Sequence, residues 1–176
     1  MMAVVSRIEA LVEALGALAR ACVLLLVLLV SFDVLMRYLF DFSPVALQEL
    51  EWYLISPIAL LGIAYTLKHR QDVRVDFLYE KFGVKAKAAV DLFSGLATAA
   101  IGLYIAHLAY KYTLQSYNMG EGSPDPGGLP YRFLIKAFLP LGFGLFGLQG
   151  LADSLRALCT LLLPTHLQEA LSLIHI

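Results

Sequence analysis

Charged residues are scarce in this chain. Asp, Glu, Lys and Arg make up 15% of its 176 residues, whereas hydrophobic residues make up 60%; a soluble domain usually has about 25% charged residues. A body of this size cannot hide so much apolar surface from water. The composition and a mean hydropathy of +0.75 therefore exclude an ordinary soluble globule and predict an integral membrane protein.

Three further shortages exclude classes of function. The net charge of −1 lacks the basic excess of a nucleic-acid-binding protein. The two cysteines, Cys22 and Cys159, lie in apolar stretches and form neither a disulfide framework nor a Cys-x-x-Cys motif. Of four histidines only His107 falls inside a span, which argues against a haem held by two histidines. We therefore expect no cofactor, no metal site, no catalytic residues and no enzyme activity.

Four stretches are long and apolar enough to cross about 30 Å of hydrocarbon as helices. The predicted spans are residues 17–36, 49–67, 92–110 and 133–152. They predict an all-α membrane protein with one four-helix domain over residues 1–158. The segment 68–91 fits either a short interfacial amphipathic helix or a solvated loop. The remainder, 159–176, is a tail whose final residues resemble a translated adapter sequence and receive no role.

The distribution of basic residues predicts the orientation. With four spans, both termini and the central connection share one side of the membrane. Nine Lys and Arg residues fall on that side and four on the other, and cytoplasmic loops carry the excess of basic residues. Both termini are therefore predicted to be cytoplasmic.

Two features inside the spans predict contacts. Asp33 and Arg37 are one helical turn apart, so Arg37 has three possible partners: Asp33, Glu49 at the start of span two, or another chain. We predict an Arg37–Glu49 pair, because a lone charge at membrane depth is costly. In span three, four small residues recur every fourth position and predict a close helix contact, in this chain or with another, unless the stripe faces lipid. They are Ser94, Thr98, Gly102 and Ala106.

The outer connection 111–132 is rich in turn-forming residues. Its segment from Gly120 to Pro130 has four Gly and three Pro in eleven residues, a composition typical of successive turns. Arg132 and Lys136 follow directly. We predict that these two side chains form a docking surface for an acidic partner protein.

The order of short motifs resembles the small membrane subunit of tripartite ATP-independent periplasmic (TRAP) transporters, the DctQ-like family. The resemblance spans about residues 15–158. The motifs are Arg37-Tyr38, Gln48-Glu49, Gly62-Ile-Ala64, Val73-Arg-Val-Asp76, Asp125-Pro-Gly-Gly-Leu-Pro-Tyr-Arg132, Pro140-Leu-Gly-Phe143 and Leu148-Gln-Gly150. Many members of the family have His at the position of Asp72. Any role of that His in the family therefore cannot be assigned to this chain.

The resemblance implies a bacterial inner-membrane transport system with three parts. A large permease moves the substrate and is driven by sodium, and a periplasmic binding protein delivers it. The small subunit enlarges the scaffold and helps to dock the binding protein. The outer-loop string from Asp125 to Arg132 and the two motifs after it resemble a longer branch of the family, which implies organic-acid cargo. Two alternatives stay open: a self-sufficient small four-helix transporter, and a non-catalytic assembly factor of another membrane complex.

Overall fold

Four long helices form the computed structural model, which describes residues 2–71 and 82–162. Helix α1 spans Met2–Phe40, α2 spans Val45–Lys68, α3 spans Val84–Asn118 and α4 spans Phe133–Leu162. All four are long and apolar enough to cross a membrane. The predicted all-α class with four spans is confirmed.

The helices extend beyond the predicted spans. With 39 residues, α1 is about 58 Å long at 1.5 Å per residue, against about 30 Å of hydrocarbon. Its first half contains Ala, Leu and Glu, which favour helix whether or not lipid surrounds them. The same holds for α3, which begins at Val84, so that residues 84–91 continue a span helix. The rest of the proposed interfacial helix, residues 72–81, and tail residues 163–176 lie outside the described residues.

Consecutive helices form two antiparallel hairpins, α1–α2 and α3–α4. The closest packing is between α3 and α4; α2 also packs on α4, and α1 touches α4 less extensively. We call the end of the bundle with Lys68 and Val84 the inner end. The end with Phe40, Val45, Asn118 and Phe133 is the outer end.

The core lies where α1, α2 and α4 meet. Val12, Ala19, Leu61, Ala64 and Leu145 form its buried cluster. Val12 and Ala19 are seven residues apart, which places them on one side of α1. Because α1, α2 and α4 share this core, the bundle is one body with α3 attached through α4.

Charged side chains fix the inner end of α1. Glu13 lies 2.5 Å from the Lys68 Nζ and 3.2 Å from the His69 Nε2 on α2. Glu9 forms an ion pair with Arg156 on α4. These contacts tie three helices together where the sequence analysis had identified no pairs.

Candidate functional site

The outer loop, residues 119–132, is built as a chain of hydrogen-bonded turns. The Glu121 N–H donates to the Ser116 carbonyl at 3.1 Å, and the Arg132 N–H donates to the Glu121 carbonyl at 2.9 Å. Gly120 and Gly127 have φ values of 60° and 80°, in the left-handed region that glycine enters without steric cost. The glycines therefore supply the sharp turns that the sequence predicts.

Glu49 on α2 anchors the middle of this loop. Its carboxylate accepts hydrogen bonds from the Ser123 hydroxyl and from the Leu129 N–H. Gly128 sits so close to Ser123 and Glu49 that a Cβ there would overlap both. Charge-assisted hydrogen bonds of this kind are stronger than neutral ones, so Glu49 joins the first hairpin to the loop of the second.

A second carboxylate anchors the base of the loop. Glu121 accepts hydrogen bonds from the Lys136 ammonium and from the Ser116 hydroxyl. These bonds, that from Lys136 first, hold the pKa of Glu121 below its ordinary value of 4.5. Lys136 also lies 4.2 Å from the centre of the Tyr112 ring, and its side chain is only 14% exposed.

The two residues predicted for docking therefore differ. Lys136 is engaged within the chain by Glu121 and Tyr112, and its role in docking stays a prediction. Arg132 remains half-buried beside an opening. Of the two side chains, that of Arg132 borders an opening and that of Lys136 is engaged within the chain.

Arg132 lines a cavity of about 390 Å³ between α2 and the outer loop, which we call the outer cavity. Its other lining residues are Val45, Gln48, Glu49, Trp52, Tyr53, Asp125 and Ile135. Trp52 is 71% exposed. The Tyr53 hydroxyl is buried and makes no hydrogen bond within the described part of the chain. The cavity thus combines an aromatic surface, a cation, a hydroxyl and two carboxylates, of which that of Glu49 is bonded to the loop.

Arg37 pairs with Asp33, so the predicted Arg37–Glu49 pair is wrong. The Arg37 guanidinium lies 2.5 Å from the carboxylate of Asp33, which is 2% exposed. The Ser43 hydroxyl donates to the same carboxylate at 2.7 Å, and the Gln48 amide donates to Ser43 at 2.9 Å. The helical spacing of four residues places Arg37 beside Asp33, while the loop occupies Glu49.

Of the small residues predicted on α3, Gly102 makes the closest contact. A Cβ on Gly102 would lie 2.7 Å from the Gly147 nitrogen, and Thr98 touches Gly150. The neighbouring helix is therefore α4 of the same chain. Ala106 is half-buried, and Ser94 is exposed and outside the contact.

The four-residue spacing missed part of this contact. Gly95, Ala99 and Ala109 are buried on α3, and a Cβ on Gly95 would lie 2.8 Å from the Ser154 nitrogen. With Gly102 included, these residues follow intervals of four, three and seven, as residues on the packed face of a helix do. We call Gly95, Gly102, Gly147 and Gly150 the glycine contact.

The described residues include no group of three or more His, Cys, Asp or Glu side chains that could hold a metal ion. The polar side chains described above, with their hydrogen bonds and ion pairs, lie instead at the ends of the helices. The outer cavity and its anchored loop are the most complete polar surface there, and the sequence analysis missed Ser123, Leu129 and Tyr53. Glu49 was the available signal, since a carboxylate at membrane depth requires partners.

Comparison with known proteins gives two matches. The family described as "Tripartite ATP-independent periplasmic transporters, DctQ component" matches residues 26–160. The chain is also 28% identical over 154 residues to the ectoine TRAP transporter small permease protein TeaB of Halomonas elongata. That alignment covers 88% of this chain and 76% of the relative.

Proposed function

The chain belongs to the DctQ component family of TRAP transporters, and from this premise we propose that it is the scaffold and docking subunit of a sodium-driven uptake system for organic acids. It is a TRAP small permease subunit, a multi-pass membrane protein of a transporter family and not of an enzyme family. Such subunits work with a large permease and a substrate-binding protein. In the proposal, this chain lies in the inner membrane with both termini in the cytoplasm.

The scaffold role is supported by where the ionisable groups lie. Asp33, Arg37 and Glu49 are at the outer end, while Glu13 and Asp153 lie toward the inner end. An ion-coupled transporter usually has an acidic or basic group near the middle of the membrane. This distribution favours a subunit that supports a transporting partner over one that moves substrate itself.

Helix α1 offers a surface for the large permease. In its outer half Leu24, Leu28, Leu35 and Leu39 are between 56% and 70% exposed. They recur at intervals of four, seven and four and so share one face of the helix. We expect this leucine face to lie against the large subunit, and a photo-crosslinker at Leu28 to capture it more efficiently than one at Tyr104, exposed on α3.

The docking role depends on one observation, the outer cavity beside an anchored loop. Glu49 and Glu121 hold the loop in position, so a partner would bind a preformed surface at little cost in conformational entropy. Arg132 supplies a cation and Trp52 an exposed aromatic ring. These groups suit an acidic side chain presented by the binding protein, with Arg132 affecting association rate and its salt dependence.

The most specific part of the proposal concerns the transported substrate and the ion that drives its uptake. The relative from Halomonas elongata is named for ectoine, whereas the motif order of this chain resembles a branch associated with organic acids. We expect sodium-dependent uptake of a 2-oxo acid to exceed uptake of ectoine in vesicles that contain this chain and its large permease and are supplied with the binding protein. Uptake of ectoine alone would contradict the organic-acid assignment.

Reconstituted vesicles also test docking. Arg132→Glu should raise the binding-protein concentration for half-maximal uptake by several-fold, because it places a like charge opposite an acidic partner. Lys111→Glu is the matched control, an equal charge change at an exposed residue of α3 that does not line the outer cavity. If both variants need the same binding-protein concentration as wild type, Arg132 is not part of the docking surface.

A further inference from the structure

A second surface of the molecule lies at the inner end, away from the outer cavity. Helix α3 packs chiefly on α4, and α2 packs on α1 and α4. Between the inner ends of α2 and α3 there is a groove of about 260 Å³ with α4 along one side. We call it the inner groove, and nothing in the docking role uses it.

The inner groove changes character with depth. Charged residues line its mouth: Arg70 just beyond α2, Lys87 and Asp91 on α3, and Arg156 on α4. Asp153 lies deeper, at the level of Gly95, because the adjacent Ser154 packs against Gly95. The deep part of the groove is lined by Gly95, Thr98 and Gly150. Lys87 and Thr98 are eleven residues apart, which is about 16 Å along a helix. The groove therefore runs from a charged mouth to a floor of small side chains, with the Asp153 carboxylate beside Gly95 as the one charged group at that level among the described residues.

The charged side chains that line the inner groove differ in the ion pairs and hydrogen bonds that they form within the chain. Arg156 forms an ion pair with Glu9, and Asp153 accepts a hydrogen bond from the Gln149 amide at 3.2 Å. The Arg70 guanidinium is 3.9 Å from the Asp91 carboxylate, and its side chain is 60% exposed. A separation of 3.9 Å is too long for a hydrogen bond. The planar donors of Arg70 are therefore the ones best placed for an incoming anion, and guanidinium binds phosphate oxygens in bidentate fashion.

We propose that the inner groove binds one glycerophospholipid of the adjacent leaflet. Arg70 donates hydrogen bonds to its phosphodiester, and the first part of an acyl chain lies over Gly95, Thr98 and Gly150. The polar-to-apolar gradient matches the headgroup and tail of a lipid, and basic pockets between helices at this depth bind lipid headgroups. A free phosphate shares the anion chemistry but would leave the deep part of the groove empty.

Native mass spectrometry of the full-length chain, released from detergent, tests this proposal with three probes. These are phosphatidylethanolamine, phosphatidylglycerol and inorganic phosphate at equal concentration. Wild type should retain one molecule of a phospholipid and no inorganic phosphate. Arg70→Glu should lower lipid occupancy by about five- to tenfold, since each basic residue near a headgroup contributes a factor of about that size.

Two further variants separate the groove from general lipid adhesion. Ser94→Phe adds a ring at an exposed, groove-lining position and should abolish retention of the lipid. Lys111→Glu changes the same charge at the outer end and should retain it. Circular dichroism on Arg70→Glu, whose side chain is exposed, checks that the helices persist.

Three results would overturn the proposal. The first is the absence of retained phospholipid on wild type under conditions in which its helices are intact. Equal occupancy in wild type, Arg70→Glu and Ser94→Phe would place the bound lipid elsewhere on the surface. Retention of inorganic phosphate at the same concentration as lipid would identify a simple anion site. None of these results depends on transport, so each is distinguishable from failure of the docking role.

Discussion

The two hairpins of this bundle are held together by different kinds of contact. In α3–α4, the glycine contact brings backbone against backbone, and a Cβ on Gly102 would lie 2.8 Å from the Gly147 Cα. In α1–α2, polar side chains meet at each end: Asp33 with Ser43 outside, and Glu13 with Lys68 and His69 inside. Gly16 also contacts α2, but it faces the ring of Tyr65 and not backbone.

The difference follows from the solvent. Lipid tails are as apolar as Leu, so burying apolar side chains does not by itself drive helices together in a membrane. Close van der Waals packing and polar bonds remain as the sources of association. The second hairpin has backbone contact at its glycines, whereas the first has polar pairs at both ends in addition to the apolar core of Val12, Ala19, Leu61 and Ala64. Added bulk should therefore harm the second hairpin most, and loss of a polar group should harm the first.

The largest effect is expected at the glycine contact. Gly102→Leu should destabilise the protein by about 3 kcal/mol or more, because overpacking is relieved only when neighbours can move and the neighbours here are backbone atoms of α4. Thermal unfolding in detergent measures the change. Gly144→Leu on α4 is the control, since no atom lies within 4 Å of its added Cβ. Equal melting temperatures for the two variants would refute the role of backbone contact.

The next effect is expected at the outer end of the first hairpin. Asp33→Asn should lower the free energy of unfolding by about 1.5–3 kcal/mol, the range for hydrogen bonds to charged groups. Asp33 is buried and bonded to Arg37 and Ser43. Asp41→Asn removes the same charge from an exposed residue and should change stability little. If Asp41→Asn lowers the free energy of unfolding as much as Asp33→Asn does, the loss reflects net charge and not the hydrogen bonds of the Asp33 carboxylate.

A smaller effect is expected at the inner end of the same hairpin. Glu13→Gln should lower the free energy of unfolding only slightly, because the Glu13 side chain is 42% exposed and water screens such ion pairs. High salt should shrink the difference from wild type. Chemical unfolding in detergent at two salt concentrations measures it, and a difference that grows with salt would contradict an ion-pair origin.

The smallest effect concerns pH and the loop that joins α3 to α4. The pKa of Glu121 is lowered by the hydrogen bond from Lys136 and then by that from Ser116. A lowered carboxyl pKa stabilises the folded state above the ordinary value of 4.5 and loses that contribution as pH falls through the lower folded-state pKa. The stability difference between wild type and Glu121→Gln should therefore shrink below pH 4.5. If the stability difference between wild type and Glu121→Gln stayed constant down to pH 3.5, roughly one unit lower, protonation of the Glu121 carboxylate would not contribute to stability in the expected pH range.

Much of the fold was predictable because lipid imposes simple rules on sequence. A span needs about 20 apolar residues, and this requirement located all four helices. Their ends were not predictable in the same way. Helix propensity continues into charged segments such as the first half of α1, where no membrane limits the helix. The four-residue stripe on α3 found Gly102 but not Gly95 or Ala99, because the true interval alternates between three and four.

The sequence by itself determined that the chain lies in lipid, how many helices it has and which family it belongs to, since these depend on composition and on the order of motifs. It left Asp33 as one of three possible partners of Arg37, and the structure selected it. Only the tertiary structure decided which distant groups meet. Glu49 bonds to Ser123 and Leu129, about 80 positions further along the chain, and Lys136 is occupied by Glu121. Such contacts depend on how the hairpins pack and how the outer loop folds back, and a charge in a sequence does not specify its partner when several lie at the same end of a bundle.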